Sequence, residues 1–293
     1  MINALLTGLM LGGMYALIAL GLTLQYGVAR IMNLAYGEVL IAAAFAAHAL
    51  FTGVLAGWAI NPFAALLLVV PLAFLLNLAI YVVLLRPLVR RAPTRDALEV
   101  DSILATFGLA FILQGIMLSL FGGAYYSYAY LATPVQLFGA SIAANRLVAL
   151  AVCVVLGSVI YLLLTRTRAG TAIRAVAVDP AAARLVAIDV GRTSAITFAM
   201  GGALVAAAGV LVSTFLTFGA SAGVVFTMKA LIVVVMGGVG NMLGCLVAGL
   251  ALGLSESFVA SYVDPGLTLA VNFALFLVVL LVKPAGLFGR ATR

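Results

Sequence analysis

The chain has 293 residues, 66% of them hydrophobic and only 8% charged, whereas a soluble domain carries about a quarter charged residues. This excludes an ordinary soluble protein and describes one that lives mostly in lipid. The formal net charge of +7 does not point to nucleic acid, because the basic residues stand at the ends of apolar runs, where the positive-inside rule puts them.

A membrane crossing needs roughly 20 apolar residues. That length predicts spans over 3–25, 33–52, 62–85, 100–121, 146–165, 194–216 and 266–282. The first run has no basic residue before Arg30, so it reads as a retained span and not as a cleaved signal peptide. The polar stretches are a basic loop over 86–99, an outer loop over 122–145 and a charged island from Arg166 to Arg192. Seven of the chain's 23 charged residues fall in those 27 positions of the island. Between the last two spans lies 226–262, too long for one crossing and cut by Gly237, Gly238, Gly240 and Asn241.

Charge orients the whole. Placing Arg30, Arg86 to Arg95, the island and Lys283 to Arg293 inside accounts for 13 of the 15 Lys and Arg residues and leaves Arg146 and Lys229 for the outer half. The N-terminus is then outside and the C-terminus cytoplasmic. Parity requires 226–262 to cross twice or not at all; two short crossings joined by the glycine turn are expected, with a re-entrant pair as the alternative. The sequence therefore predicts an all-α, polytopic membrane helical bundle of about eight or nine transmembrane segments. It is expected to be one transmembrane domain over 1–293 with no legible internal repeat, and the island 166–192, kept in water between two spans, is expected to be a cytoplasmic coupling loop on which something soluble docks, as in a transport permease. Gly8/Gly12, Gly219/Gly223, Gly240/Gly244 and Gly249/Gly253 have the spacing that lets helix backbones approach closely.

Enzyme chemistry finds little support. There is no GxxxxGK[ST] loop to hold a nucleotide, and GGVGNMLG fails the dinucleotide fingerprint because Leu243 stands where the third glycine belongs. His48 is the single histidine and has no ligand-spaced partner, so no metal site is expected; near the outer end of its span it is expected to bond a backbone carbonyl. Cys153 and Cys245 lie inside apolar runs and read as helix packing, not as a disulfide.

Ionisable groups inside apolar runs remain. Glu38 is either a pathway residue near the cytoplasmic face, paired with Arg30, or an interfacial carboxylate favoured by a helix start. Glu256 reads as near the outer interface, Lys229 as snorkelling there, and Gln114 and Asn77 as interhelical hydrogen-bonding groups. No ladder of acidic residues supports proton coupling. The turn Gly237, Gly238, Gly240 and Asn241 is either a pathway element or a plain tight turn.

In the island, Asp179-Pro180 has the chemistry of a helix start and AIRAVAV reads as a short helix before it. Ala182, Leu185, Val186 and Ile188 form an expected apolar face, with Arg184 and Asp189 in water. The island is then a plug for a partner's groove or a loop lying on anionic headgroups.

Ordered motifs along nearly the whole chain resemble one family. They are GLMLGGMYALIALGLTLQYG (8–27), NLAYGE (33–38), RPLVRRAP (86–93), SILATFGLAFILQ (102–114), GTAIRAVAVDPAAARLVAIDVGR (170–192), MKALIVVVMGGVGNMLG (228–244) and KPAGLFGR (283–290). The chain resembles the LivH-type permeases of branched-chain amino acid ABC importers, multi-pass proteins of the bacterial inner membrane. The resemblance implies alternating access within an assembly of a second permease subunit (a heterodimer), two cytoplasmic ATPase subunits and a periplasmic substrate-binding protein. It implies no cofactor on this chain, with ATP and Mg on the ATPase partners. It also implies that the coupling residues lie among Gly170, Arg174, Asp179, Pro180, Ala182, Ala183, Arg184, Leu185 and Ile188. The pathway is expected to pass Glu38, its motif neighbours Asn33 and Tyr36, and the glycine turn. Two positions depart from the family pattern: Tyr36 stands where His is usual, and Ala187 where Gly is usual, so a helix could continue where Gly would permit a sharp turn. A sister permease for urea, short amides or aromatic acids would share the architecture. An ion-coupled secondary transporter and an intramembrane enzyme are the readings from other classes.

Overall fold

Apolar runs rich in Leu, Ala and Val fold as helices because lipid offers no partner for a free backbone N–H or C=O. The computed structural model describes residues 1–54, 59–92, 94–128, 130–137 and 140–289; Pro93 and residues 290–293, expected at the basic end, lie outside the described residues. In chain order come α1 (Ile2–Ala29), α2 (Tyr36–Phe51) and α3 (Pro62–Ile80), which runs on through a π turn (Tyr81–Leu85) into α4 (Arg86–Arg91). Then follow α5 (Arg95–Phe121), a small hairpin of β1 (Pro134–Leu137) and β2 (Ala140–Ala143), and α6 (Ala144–Arg166). The island folds as α7 (Arg168–Val178) and α8 (Pro180–Leu185), and α9 (Val190–Ser213), α10 (Gly223–Gly237), α11 (Met242–Tyr262) and α12 (Thr268–Val282) complete the chain. Among the described residues, seven helical stretches are long and apolar enough to cross a membrane, and α2 and α10 are shorter apolar helices, which matches the all-α bundle expected. The hairpin was not foreseen.

Helices α1 and α9 form the centre and are mostly buried, whereas α12 is scarcely covered. Small residues draw α11 onto α1. A Cβ on Gly12 would strike the backbone of Leu250, one on Gly253 the backbone of Gly12, and one on Gly249 that of Ala16. Farther along, Ser257 Oγ donates to Ala4 O (2.6 Å) and Thr23 Oγ1 meets Cys245 Sγ (2.9 Å), so the two helices run antiparallel. Two of the four glycine pairs thus work as helix contacts. Gly219/Gly223 and Gly240/Gly244 each straddle a helix start and share no helical face.

Helix α1, about 42 Å long at 1.5 Å per residue, serves as a depth gauge. Gly27 lies beside Gly240 at the arginine-bearing end. Tyr36, the first residue of α2, bonds Ile18 O, and Lys229 in α10 bonds Tyr15. Both short helices therefore begin at mid-depth, and their starts touch: Gly37 N–H donates to Thr227 Oγ1 (2.8 Å). The chain returns to mid-depth without helix over 30–35 and 214–222, and polar side chains satisfy its backbone as lipid requires. Leu34 N–H donates to Thr106 Oγ1 and Ala35 N–H to Asn33 Oδ1, both at 3.1 Å. In the second return, Asn145 Nδ2 donates to Thr214 O (2.9 Å), and Tyr126 and Phe218 exchange both backbone bonds. The mid-depth break is thus at Gly223, just ahead of 226–262. The glycine cluster Gly237–Asn241 is the tight turn at the basic end.

The packing repeats itself. Helices α1 and α9 lie together; α2 packs on α9 as α10 packs on α1, α3 on α9 as α11 on α1, and α2 on α5 as α10 on α12. Each half reads long helix, unwound return, short helix, long helix, and by parity the two halves run in opposite senses. This is the pattern of an inverted-topology repeat. It corrects the expectation of no internal repeat: the correspondence is in the packing and not in the residues.

Candidate translocation site and coupling loop

Glu38 occupies the first turn of α2 and is 1% exposed, and neither carboxylate oxygen has a hydrogen-bond partner among the described residues. It faces the start of α10, where a Cβ on Gly223 would overlap its carboxyl group. No ion pair among the described residues joins it to Arg30. The expected pairing fails because Arg30 ends α1 at the exposed basic end, while 31–35 carry the chain back to mid-depth. Glu38 is accordingly neither near the basic face nor interfacial. Beside it a cleft of about 70 Å³ is lined by Phe107, Ala110, Phe111 and Gln114 of α5 and by Val224, Thr227 and Met228 of α10, with Leu34.

Asn33 and Tyr36, the motif neighbours, hold this region together. Asn33 Nδ2 donates to Gln25 Oε1 (3.1 Å) and Gln25 Nε2 to Phe198 O (2.9 Å). Tyr36 is fully buried and its hydroxyl donates to Ile18 O (2.7 Å), against Gly21 and Gly201. At this position, where the family usually has His, the polar group bonds main chain. Gly237, Gly238, Gly240 and Asn241 lie elsewhere. Asn241 caps α11 by accepting from Gly244 N–H (3.0 Å) and donates to Phe288 O (3.1 Å), and Leu287 N–H donates to Met236 O. The turn is stapled to the C-terminal segment and does not meet Glu38.

A second polar centre escaped the sequence reading. Lys229 Nζ bonds Glu256 at 2.8 and 2.9 Å and Tyr15 Oη at 2.8 Å, and Asn272 Nδ2 donates to Glu256 (3.3 Å). Both charged side chains are largely covered, so neither is at the outer interface. The network ties α1, α10, α11 and α12 together at mid-depth. The available signal was charge pairing of two isolated intramembrane ions, 27 residues apart.

At the end opposite the arginines, Phe45, His48, Phe51, Phe121, Tyr126, Tyr128 and Phe218 form an aromatic cap. His48 packs against Tyr126 and Tyr128, and its buried Nδ1 has no partner among the described residues. Among them it does not bond a carbonyl as expected.

In the island, Asp179 Oδ1 accepts from Ala181 N–H (2.8 Å) and Ala182 N–H (3.2 Å), so α8 starts where Asp179-Pro180 predicts. Gly170, Ile173 and Val176 of α7 face inward, and a side chain on Gly170 would strike the backbone of Leu163 and Leu164. Arg174 and Arg184 are exposed. The expected apolar face divides: Ala183 is buried and Ile188 packs against the core, whereas Ala182, Leu185 and Val186 point outward. Leu185 (88% exposed), Val178 (84%) and Val186 (69%) make an apolar crest along the end of α7 and the end of α8, in the segment that carries Arg174 and Arg184. After Leu185 the helix stops. Ala187 takes a left-handed conformation (φ 59°), with Ala187 N–H bonded to Arg184 O and Ile188 N–H to Ala183 O. That is the Schellman stop, so the sharp turn is made with Ala in the place where Gly is usual.

Comparison with known proteins agrees with this architecture. The family model described as branched-chain amino acid transport system / permease component matches residues 4–280. The high-affinity branched-chain amino acid transport system permease protein LivH of Escherichia coli K12 is 29% identical over 306 residues, covering 99% of this chain and 96% of its own. The corresponding permease protein BraD of Pseudomonas aeruginosa is 28% identical, with 99% and 96% covered. A probable branched-chain amino acid transport permease protein of Methanocaldococcus jannaschii is 26% identical, with 93% and 88% covered.

Proposed function

The chain belongs to the permease family of branched-chain amino acid transport systems, and from that membership we propose that it is one membrane half of an ATP-driven importer of branched-chain amino acids. It is a multi-pass permease of the bacterial inner membrane. Its partners are a second permease subunit, two cytoplasmic ATPase subunits that carry ATP and Mg, and a periplasmic binding protein that delivers the solute.

The observation that carries the coupling role is the exposed crest of Val178, Leu185 and Val186. Three large apolar side chains standing in water in an arginine-bearing segment mark a docking surface, and two short consecutive helices whose ends present them suit a hydrophobic groove on a partner. Their backbone is fixed by the Asp179 cap, by the Schellman stop and by the inward packing of Ile173, Val176 and Ala183. A push on the crest is therefore passed to α7, and through α7 to α1 and α9, on which it packs. Opening and closing at mid-depth would follow from motion of α1 and α9, because the starts of α2 and α10 are bonded to them.

The test is uptake of labelled L-leucine by the assembled complex in ATP-loaded proteoliposomes. Leu185→Asp leaves every inward contact in place and is expected to lower uptake at least about tenfold while the chain still inserts. That loss amounts to at least about 1.4 kcal/mol in transition-state terms. Normal uptake by the variant would overturn the docking role. A wild-type complex that carries other solutes but no branched-chain amino acid would overturn the cargo.

A further inference from the structure

We propose that Glu38 receives the ammonium group of the transported amino acid at mid-depth, in the cleft between α2, α5 and α10. The inference rests on the importer reading above and names the contact that reading lacks.

The starting point is a carboxyl group that the fold leaves unused. Glu38 is 1% exposed, and both of its oxygens lack a partner among the described residues. A buried carboxylate costs several kcal/mol unless something compensates it, and intramembrane carboxylates usually mark a substrate or ion path. The compensation visible here is partial. Glu38 lies in the first turn of α2 and against the first turn of α10, two helix starts whose macrodipoles favour negative charge. They steady the anion without occupying its oxygens. Gly223 keeps the place open, since a side chain there would overlap the carboxyl group.

The surroundings fit one class of ligand. The cleft has about 70 Å³, room for an ammonium group with a water or two but not for a whole branched-chain amino acid. The rest of the molecule would lie toward the cleft's mouth. There Phe107, Phe111 and Val224 are about half exposed and Met228 somewhat less, an apolar wall for a branched hydrocarbon. Gln114 adds one neutral polar side chain on the same wall. A carboxylate at the bottom and hydrocarbon at the rim select a primary ammonium on a short aliphatic skeleton. They select against urea, short amides and carboxylic acids that lack the ammonium.

The experiment uses the full complex in proteoliposomes with L-leucine as the probe. Glu38→Gln keeps the shape of the side chain, so the complex should still assemble with its ATPase partners, which native mass spectrometry checks. L-leucine uptake is expected to fall at least about tenfold, or 1.4 kcal/mol in transition-state terms. In parallel, an apolar carbodiimide is used to label Glu38 in the wild-type complex, and labelling is read by peptide mass spectrometry. L-leucine is expected to slow it several-fold, and 4-methylpentanoate, the same skeleton without the ammonium, to leave it unchanged. Uptake by Glu38→Gln at the wild-type rate, or equal protection by 4-methylpentanoate, would overturn the proposal while leaving the importer reading intact. Failure of the wild-type complex to carry L-leucine would overturn the importer reading itself, and this assignment with it.

Discussion

Lys229 and Glu256 show what a buried charge demands of its neighbours. Each is satisfied by the other and by Tyr15 and Asn272. Removing one partner strands the other, which costs about 3–5 kcal/mol, whereas replacing both with neutral groups of similar volume is close to neutral. Lys229→Met is therefore expected to lower the thermal unfolding temperature of the purified protein sharply, and Lys229→Met/Glu256→Gln to recover most of the loss. Equal losses in both variants would mean that the pair contributes only packing. Glu38 was legible as a special residue because a carboxylate in an apolar run is rare. Its depth was not, because nothing in the six residues 30–35 announces that they run without helix back to mid-depth. The Lys229–Glu256 pair was hidden for a related reason: two charges on different helices carry no local signature, and each alone reads as interfacial.

Among the elements, the glycine stripes explain why α1 and α11 lie against each other. Gly253 has the backbone of Gly12 where a side chain would go. Gly253→Val would force the helices apart, and overpacking of this kind costs about 1–3 kcal/mol; the expected result is a lower unfolding temperature. Gly115→Val, where the site is open, should leave the temperature unchanged. An equal effect at both positions would show that β-branching within a helix, and not the contact, is responsible. Glycine spacing made the α1–α11 contact readable in advance, because close approach has a direct residue signature. The same spacing at Gly219/Gly223 and Gly240/Gly244 misled, since those glycines serve helix starts and a turn. The cluster Gly237–Asn241 drew attention from the true mid-depth break at Gly223, where one glycine before an apolar run gives little warning. In the island, Asp179-Pro180 announced α8 correctly. The inward choice of Ala183 over Leu185 was not announced, because the Schellman stop at Ala187 rotates the last turn and no glycine marks it.

At the scale of the molecule, hydropathy and charge were enough for the bundle, because lipid permits few alternatives to helix. The inverted repeat was not readable: the halves share a packing scheme in which Asn33, Thr106 and Thr227 do for one return what Asn145 and Tyr126 do for the other, with different residues. Two unwound returns meeting near the middle of α1 give the bundle a natural place to open, between halves that run in opposite senses. The exposed crest of α7 and α8 lies at the arginine-bearing end, well away from Glu38, so under the roles proposed above force and cargo would enter at different levels of one structure. The central claim is that this chain works only as part of a larger machine driven from that crest. Native mass spectrometry of the chain, purified from its own membrane in mild detergent, tests this most directly. The expected mass is a four-chain core of two permease and two ATPase subunits, which loses the ATPase subunits when Leu185 is replaced by Asp. A lone chain or a dimer without ATPase subunits, still moving L-leucine in ATP-free vesicles, would contradict it.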